Sequence, residues 1–167
     1  CEKGVLYVYQ NLFSDTVQIL QPFYALDPHG KDQVLSLTTS NYSPSGMTAL
    51  YDAVLNVTQV LETEIRYAKQ SGFTASARIA VITDGAENAS KASASEVRQA
   101  VAALRSRELL ESSVIIGLTN PDFTDDMLEA IRDAMGFAQS ASMSRDKTAI
   151  RRAFILASRP KADKEVR

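Results

Sequence analysis

Three oxygen-bearing positions stand where chemistry is expected. Asp84 ends the apolar run Ile79-Ala80-Val81-Ile82-Thr83, Thr48 opens a long amphipathic stretch, and Asn120 to Asp122 follow a second apolar run. Hydroxyls, carboxylates and amide oxygens are the donors of a hard cation such as Mg2+ or Mn2+. Magnesium takes six oxygens in near-octahedral geometry at about 2.0–2.1 Å and keeps waters where protein donors run out. One hydroxyl and one carboxylate are too few to hold it alone, so further oxygens must come from elsewhere. Each residue also has an ordinary structural role open to it. Asp before Gly85 is a common turn, and threonine at a helix start is a common cap.

Other chemistries are excluded by inspection. No Gly-rich phosphate loop follows a strand, and there is no Gly-x-Ser-x-Gly elbow. His29 is the single histidine and sits in the turn Asp27-Pro28-His29-Gly30, without the partners of a triad or zinc site. Cys1 is the single cysteine, which rules out an internal disulfide framework. With 18 basic and 20 acidic residues and a net charge of −2, the chain lacks the basic stripe of a general nucleic-acid binder. No stretch approaches the ~18 apolar residues of a membrane span. Opening on Cys1 instead of methionine reads as a cut boundary more readily than as a mature lipoprotein, and the compartment is not legible.

The elements that must position these residues follow from periodicity. At 167 residues, 45% of them hydrophobic, the chain is long enough for one domain with a substantial core. That domain is assigned to residues 1–160, with a charged tail over 161–167. Val5 to Gln10 and Thr16 to Leu20 read as a hairpin that Pro22 closes. Asp32 to Leu37 reads as a short helix. Leu50, Val54, Val57, Leu61, Ile65 and Ala68 recur at spacings of three and four, the face of a helix of about six turns, ended by Ser71-Gly72. Ile79 to Thr83 and Ser113 to Leu118 are apolar enough for strands covered on both faces. Ser93-Ala94-Ser95-Glu96 fits a capping box. Thr124 starts a helix that Gly136 closes, Phe137 to Ala141 reads as a last strand, and Ser144 caps a final helix with Ile150, Phe154 and Ile155. Strands alternating with helices predict an α/β fold with a mostly parallel sheet. In such sheets, ligands bind beyond the carboxyl ends of the strands.

Ser45-Gly46-Met47-Thr48-Ala49-Leu50-Tyr51-Asp52-Ala53, followed some thirty residues on by Val81-Ile82-Thr83-Asp84-Gly85, resembles the von Willebrand factor type A domain. The resemblance extends along nearly the whole chain in element order. It implies a three-layer, doubly wound, Rossmann-like sheet of order 3-2-1-4-5-6, with helices on both faces and one antiparallel edge strand. It also implies a metal-ion-dependent adhesion site at the carboxyl edge, onto which Thr48 and Asp84 map as ligands. The family's Asp-x-Ser-x-Ser motif, which supplies the remaining ligands, is not in this sequence. Its first strand and first helix are missing with it.

The resemblance therefore implies a protein-interaction module without enzymatic activity. Mg2+, or Mn2+ or Ca2+ in its place, would be bound weakly or not at all by this chain alone. A partner's Asp or Glu carboxylate would fill the open metal position. The surrounding rim would be Ser45, Met47, Glu87, Asn88, Asn120 and Asp122. A separate segment supplying the missing strand is a second expected partner. A metal-free scaffold on the same fold is the main alternative, and a metal-dependent hydrolase a weaker one, because no acid or base poised near neutrality stands out.

Overall fold

The computed structural model describes residues 4–26, 35, 38, 40, 41, 46–143 and 148. Eight elements follow one another: β1 (Tyr7–Phe13), β2 (Val17–Ala25), α1 (Leu50–Gln70), β3 (Ala77–Thr83), α2 (Ala94–Ser106), β4 (Leu110–Leu118), α3 (Asp125–Met135) and β5 (Gln139–Met143). The class is α/β, as the alternation predicts. Ser45, the short helix at Asp32 to Leu37, the histidine turn, the helix expected from Ser144 and the tail lie outside the described residues, apart from isolated positions.

The strands do not form one sheet. β1 and β2 make an antiparallel pair, while β3, β4 and β5 make a parallel sheet in that order. Among the described residues, nothing pairs β1 with β3. The single continuous sheet that the resemblance implies is not seen among the described residues, which form two separate sheets. Pro22 does not close the hairpin either: β2 runs through it to Ala25. An edge strand tolerates proline because one of its two sides needs no ladder.

Side-chain pattern explains the layers. Ile79 and Val81 of β3 and Ile115 of β4 are buried in one cluster with Leu50, Val54 and Leu61 of α1 and Val97, Val101 and Leu104 of α2. Leu128, Ile131 and Met135 of α3 join the same cluster, so all three described helices cover one face. Val114 and Ile116 alternate to the other face, where Ile82, Ala141 and Met143 pack against them. At Gly117 the Leu128 side chain of α3 packs directly on the sheet. A β-carbon there would stand 2.7 Å from Leu128 Cδ2 and 3.2 Å from Phe123 Cε1. Glycine is what allows the approach.

Helix ends follow local chemistry. Ser93 and Glu96 form the reciprocal capping box at α2, and Thr124 accepts from the Met127 amide at α3. Gly136 takes φ 69° at the end of α3, a left-handed conformation suited to glycine. At the opposite end of the sheet from the candidate site, Glu111 of β4 accepts from the Ser76 hydroxyl and pairs with Arg78 of β3 at 2.8 Å. The Ser76 hydrogen bond and then Arg78 hold its carboxyl below the ordinary 4.5. The folded chain therefore protonates Glu111 less readily than the unfolded chain does. Its stabilising contribution is full above pH 4.5 and fades as pH falls through the lower folded value. In urea titrations the stability gap between the wild type and Glu111→Gln should be constant near neutrality and shrink in acid. A gap independent of pH would refute the linkage.

Candidate functional site

The carboxyl ends of β3 and β4 and the N-terminus of α1 meet at one edge of the parallel sheet. Thr48 Oγ1 lies 3.2 Å from where a β-carbon on Gly85 would sit. That separation is tight for a β-carbon contact, so a side chain at this position would press on the threonine hydroxyl, and glycine after Asp84 leaves it room. Asn120, on the loop after β4, donates its side-chain amide to the Asp84 carbonyl at 3.3 Å. Its own Oδ1 accepts from the Asp122 amide at 2.9 Å, the local turn that shapes this loop. Thr48, Asp84 and Asn120, chosen from separate sequence motifs, thus belong to adjoining loops.

Thr48 is not the helix cap. α1 begins at Leu50 with Ala49 as its N-cap, and Ala49 has no side chain able to cap. The cap comes from across the site. Glu87 Oε2 accepts from the Tyr51 amide at 3.0 Å and from the Ser90 hydroxyl at 2.7 Å. Oε1 of the same carboxylate accepts from the amides of Ala89 and Ser90 at 2.9 and 2.7 Å. Ser90 Oγ in turn accepts from the Asp52 amide at 3.1 Å. Asp52 returns the contact, its two carboxylate oxygens taking the amides of Lys91 and Ala92 at 3.0 and 2.8 Å. The Thr48 amide donates to Asn88 Oδ1 at 2.7 Å, and the Asn88 amide donates to the Thr48 carbonyl at 3.1 Å.

This clasp sets the electrostatics of the site. The partial positive charge at the α1 N-terminus is answered from within the chain, by Glu87 and Asp52. It is not left over for an incoming anion. Glu87 faces inward with four hydrogen bonds and Asn88 is tied to Thr48, so neither behaves as a free rim contact. Met47, Asp84, Asn88 and Asp122 are the exposed members of the predicted set, while Thr48, Glu87 and Asn120 are half-buried. Ser45 lies outside the described residues.

The donors at this edge are all oxygens, a set that suits Mg2+ or Mn2+ in kind. In number they fall short of six. Among the described residues, no group of three or more His, Cys, Asp or Glu side chains gathers to hold a metal by itself. Any cation here would rely on Thr48, Asp84, water and oxygens brought from outside.

Sequence reasoning missed Asp52 and Ser90 altogether and placed Glu87 on the rim. Their contacts span 36 to 40 residues, so no local spacing reveals them. No helix among the described residues is long and apolar enough to cross a membrane. No family model matches the chain, and no curated protein matches it, so the functional reading rests on this geometry and on the motifs of Thr48 and Asp84.

Proposed function

We propose that the chain is a protein-interaction module whose partner binds through a hard divalent cation held at the Thr48–Asp84 edge, in the manner of a von Willebrand factor type A domain. The observation that carries the reading is the approach of the Thr48 hydroxyl to the Asp84-Gly85 turn. Two motifs separated by more than thirty residues converge on one spot, and glycine there leaves room for the threonine.

Charge adds a second argument. Asp84 and Asp122 are exposed at this edge, and the helix N-terminus is already neutralised by Glu87. A partner carboxylate approaching without a cation would meet like charge; with one, it completes an oxygen shell. Thr48 and Asp84 are the residues that would hold the ion, and the ion would supply the positive charge that recognises a carboxylate. The same fold used as a metal-free scaffold is the competing reading.

Panning a displayed loop library in which each member carries one Asp or Glu, in Mg2+, separates the two. Binders should be released by EDTA and should lose at least tenfold in affinity for Asp84→Ala. The circular dichroism and melting temperature of that variant should match the wild type, because Asp84 is exposed. Binding that survives both EDTA and the substitution would favour the scaffold.

A further inference from the structure

Packing alone would put valine at position 83. Ile79, Val81 and Thr83 alternate along β3 and are all buried, the first two in the helix-covered cluster. Threonine has nearly the shape of valine but carries a hydroxyl, which is costly in the interior unless it is hydrogen-bonded. Thr83 is 5% exposed. Among the described residues, Thr58 is the other buried threonine, and it donates to the Leu55 carbonyl of its own helix at 2.8 Å. The Thr83 hydroxyl is directed instead to the candidate site.

The pairing of β3 with β4 ends at Thr83, opposite Gly117. Gly85 lies beyond that ladder, and the Thr83 side chain meets its backbone instead. Oγ1 donates to the Gly85 carbonyl at 2.8 Å and accepts from the Gly85 amide at 3.3 Å. The Asp84 carbonyl accepts from Asn120 at 3.3 Å. The peptide between Asp84 and Gly85 is thus held at both ends, its oxygen by Asn120 and its N–H by Thr83. The strand end fixes Asp84 on one side and this peptide plane fixes it on the other. Backbone conformation limits the rotamers open to a side chain. The same turn lies against the Thr48 hydroxyl, 3.2 Å from where a β-carbon on Gly85 would sit.

We infer that Thr83 is the positioning residue of this edge: by holding both polar groups of Gly85, its hydroxyl sets the direction in which the Asp84 carboxylate leaves the turn, and with it the affinity for a hard divalent cation. The cation half of the inference rests on the function proposed above, and the positioning half does not. Thr83 touches no ion in this account and acts only through Asp84.

Two variants of the full chain separate the hydroxyl from the shape. Thr83→Val keeps the shape and removes the hydroxyl, and Thr83→Ser keeps the hydroxyl. The three-bond coupling between the Asp84 amide nitrogen and its Cγ reports the χ1 rotamer without any ion. It should show one rotamer in the wild type and in Thr83→Ser, and averaging in Thr83→Val. Mn2+ affinity, read from the free-ion EPR signal, should fall about tenfold in Thr83→Val, the size of effect seen for groups that orient a metal's ligands. Thr83→Ser should restore most of it. Amides of β3 before Thr83 should exchange as in the wild type, so that a weakened site is not a loosened sheet. The inference is overturned if the wild-type rotamer is already averaged, if Thr83→Val keeps either the rotamer or the affinity, if Thr83→Ser fails as Thr83→Val does, or if exchange rises along the whole of β3. A wild type that takes up no Mn2+ would sink the cation reading instead. The coupling alone then decides Thr83: a difference between the wild type and Thr83→Val supports its positioning role, and equality overturns it.

Discussion

Replacing Phe123 by alanine is expected to lower the unfolding free energy by about 3–5 kcal/mol, the range for truncating a buried phenylalanine. Phe123 is 1% exposed and lies in the short loop between β4 and α3. Its ring belongs to the main apolar cluster and stands over Gly117. Its backbone closes the loop, with its amide donating to the Asn120 carbonyl at 3.1 Å and its carbonyl accepting from the Asn120 amide at 3.0 Å. Loss of the ring therefore removes core volume and also the anchor of the residue that reaches Asp84. Urea unfolding should show a lower midpoint at an unchanged slope, and the Asn120 amide should exchange faster than amides in α1. A loss below about 1 kcal/mol would mean that the loop is held by other contacts and that the ring is not a core element.

Glu87→Ala should be nearly as damaging, at about 2–4 kcal/mol, because hydrogen bonds to a charged group contribute more than neutral ones and this carboxylate accepts four. Alanine would leave the Tyr51 amide in the first turn of α1 without its acceptor, and Ala49 offers no replacement. It would also release the loop that positions Gly85 against Thr48. Glu87→Gln should fall between the two, since one side-chain oxygen still accepts. If Glu87→Ala melted with the wild type, the clasp would not be what joins α1 to the β3 turn.

What the sequence revealed and what it hid divide by the range of the interactions. The capping box at Ser93, the cap at Thr124 and the left-handed Gly136 are local, and each reads directly from neighbouring residue types. The 3.6-residue face of α1 was legible because Leu50, Val54, Leu61 and Ile65 all face one core. Strand ends were less legible. β4 begins at Leu110, three residues before the apolar run, because its register with β3 extends pairing back to Ala77. The cap of α1 is not legible locally, because the acceptor of its Tyr51 amide is Glu87, 36 residues away. The division of the strands into two sheets depends on what does not pair, and no periodicity records that.

The candidate site was legible as two motifs, and the structure adds how they are held. Asn120 ties its loop to Asp84, Asn88 ties the turn to Thr48, and Asp52 and Glu87 lock the helix to the same loop. Support of this kind is what the proposed cation site would need, since few donors would have to be held in one geometry.

Manganese titration of the 15N-labelled chain tests the central claim most directly, because paramagnetic broadening locates even a weak site. At substoichiometric Mn2+, the amides of Thr48, Asp84, Gly85 and Asn120 should broaden first. Asp84→Ala should remove that broadening while leaving the rest of the spectrum in place. Broadening centred on other acidic positions, such as Asp125 and Asp126 at the start of α3, or none near Thr48 and Gly85, would contradict a cation site at this edge.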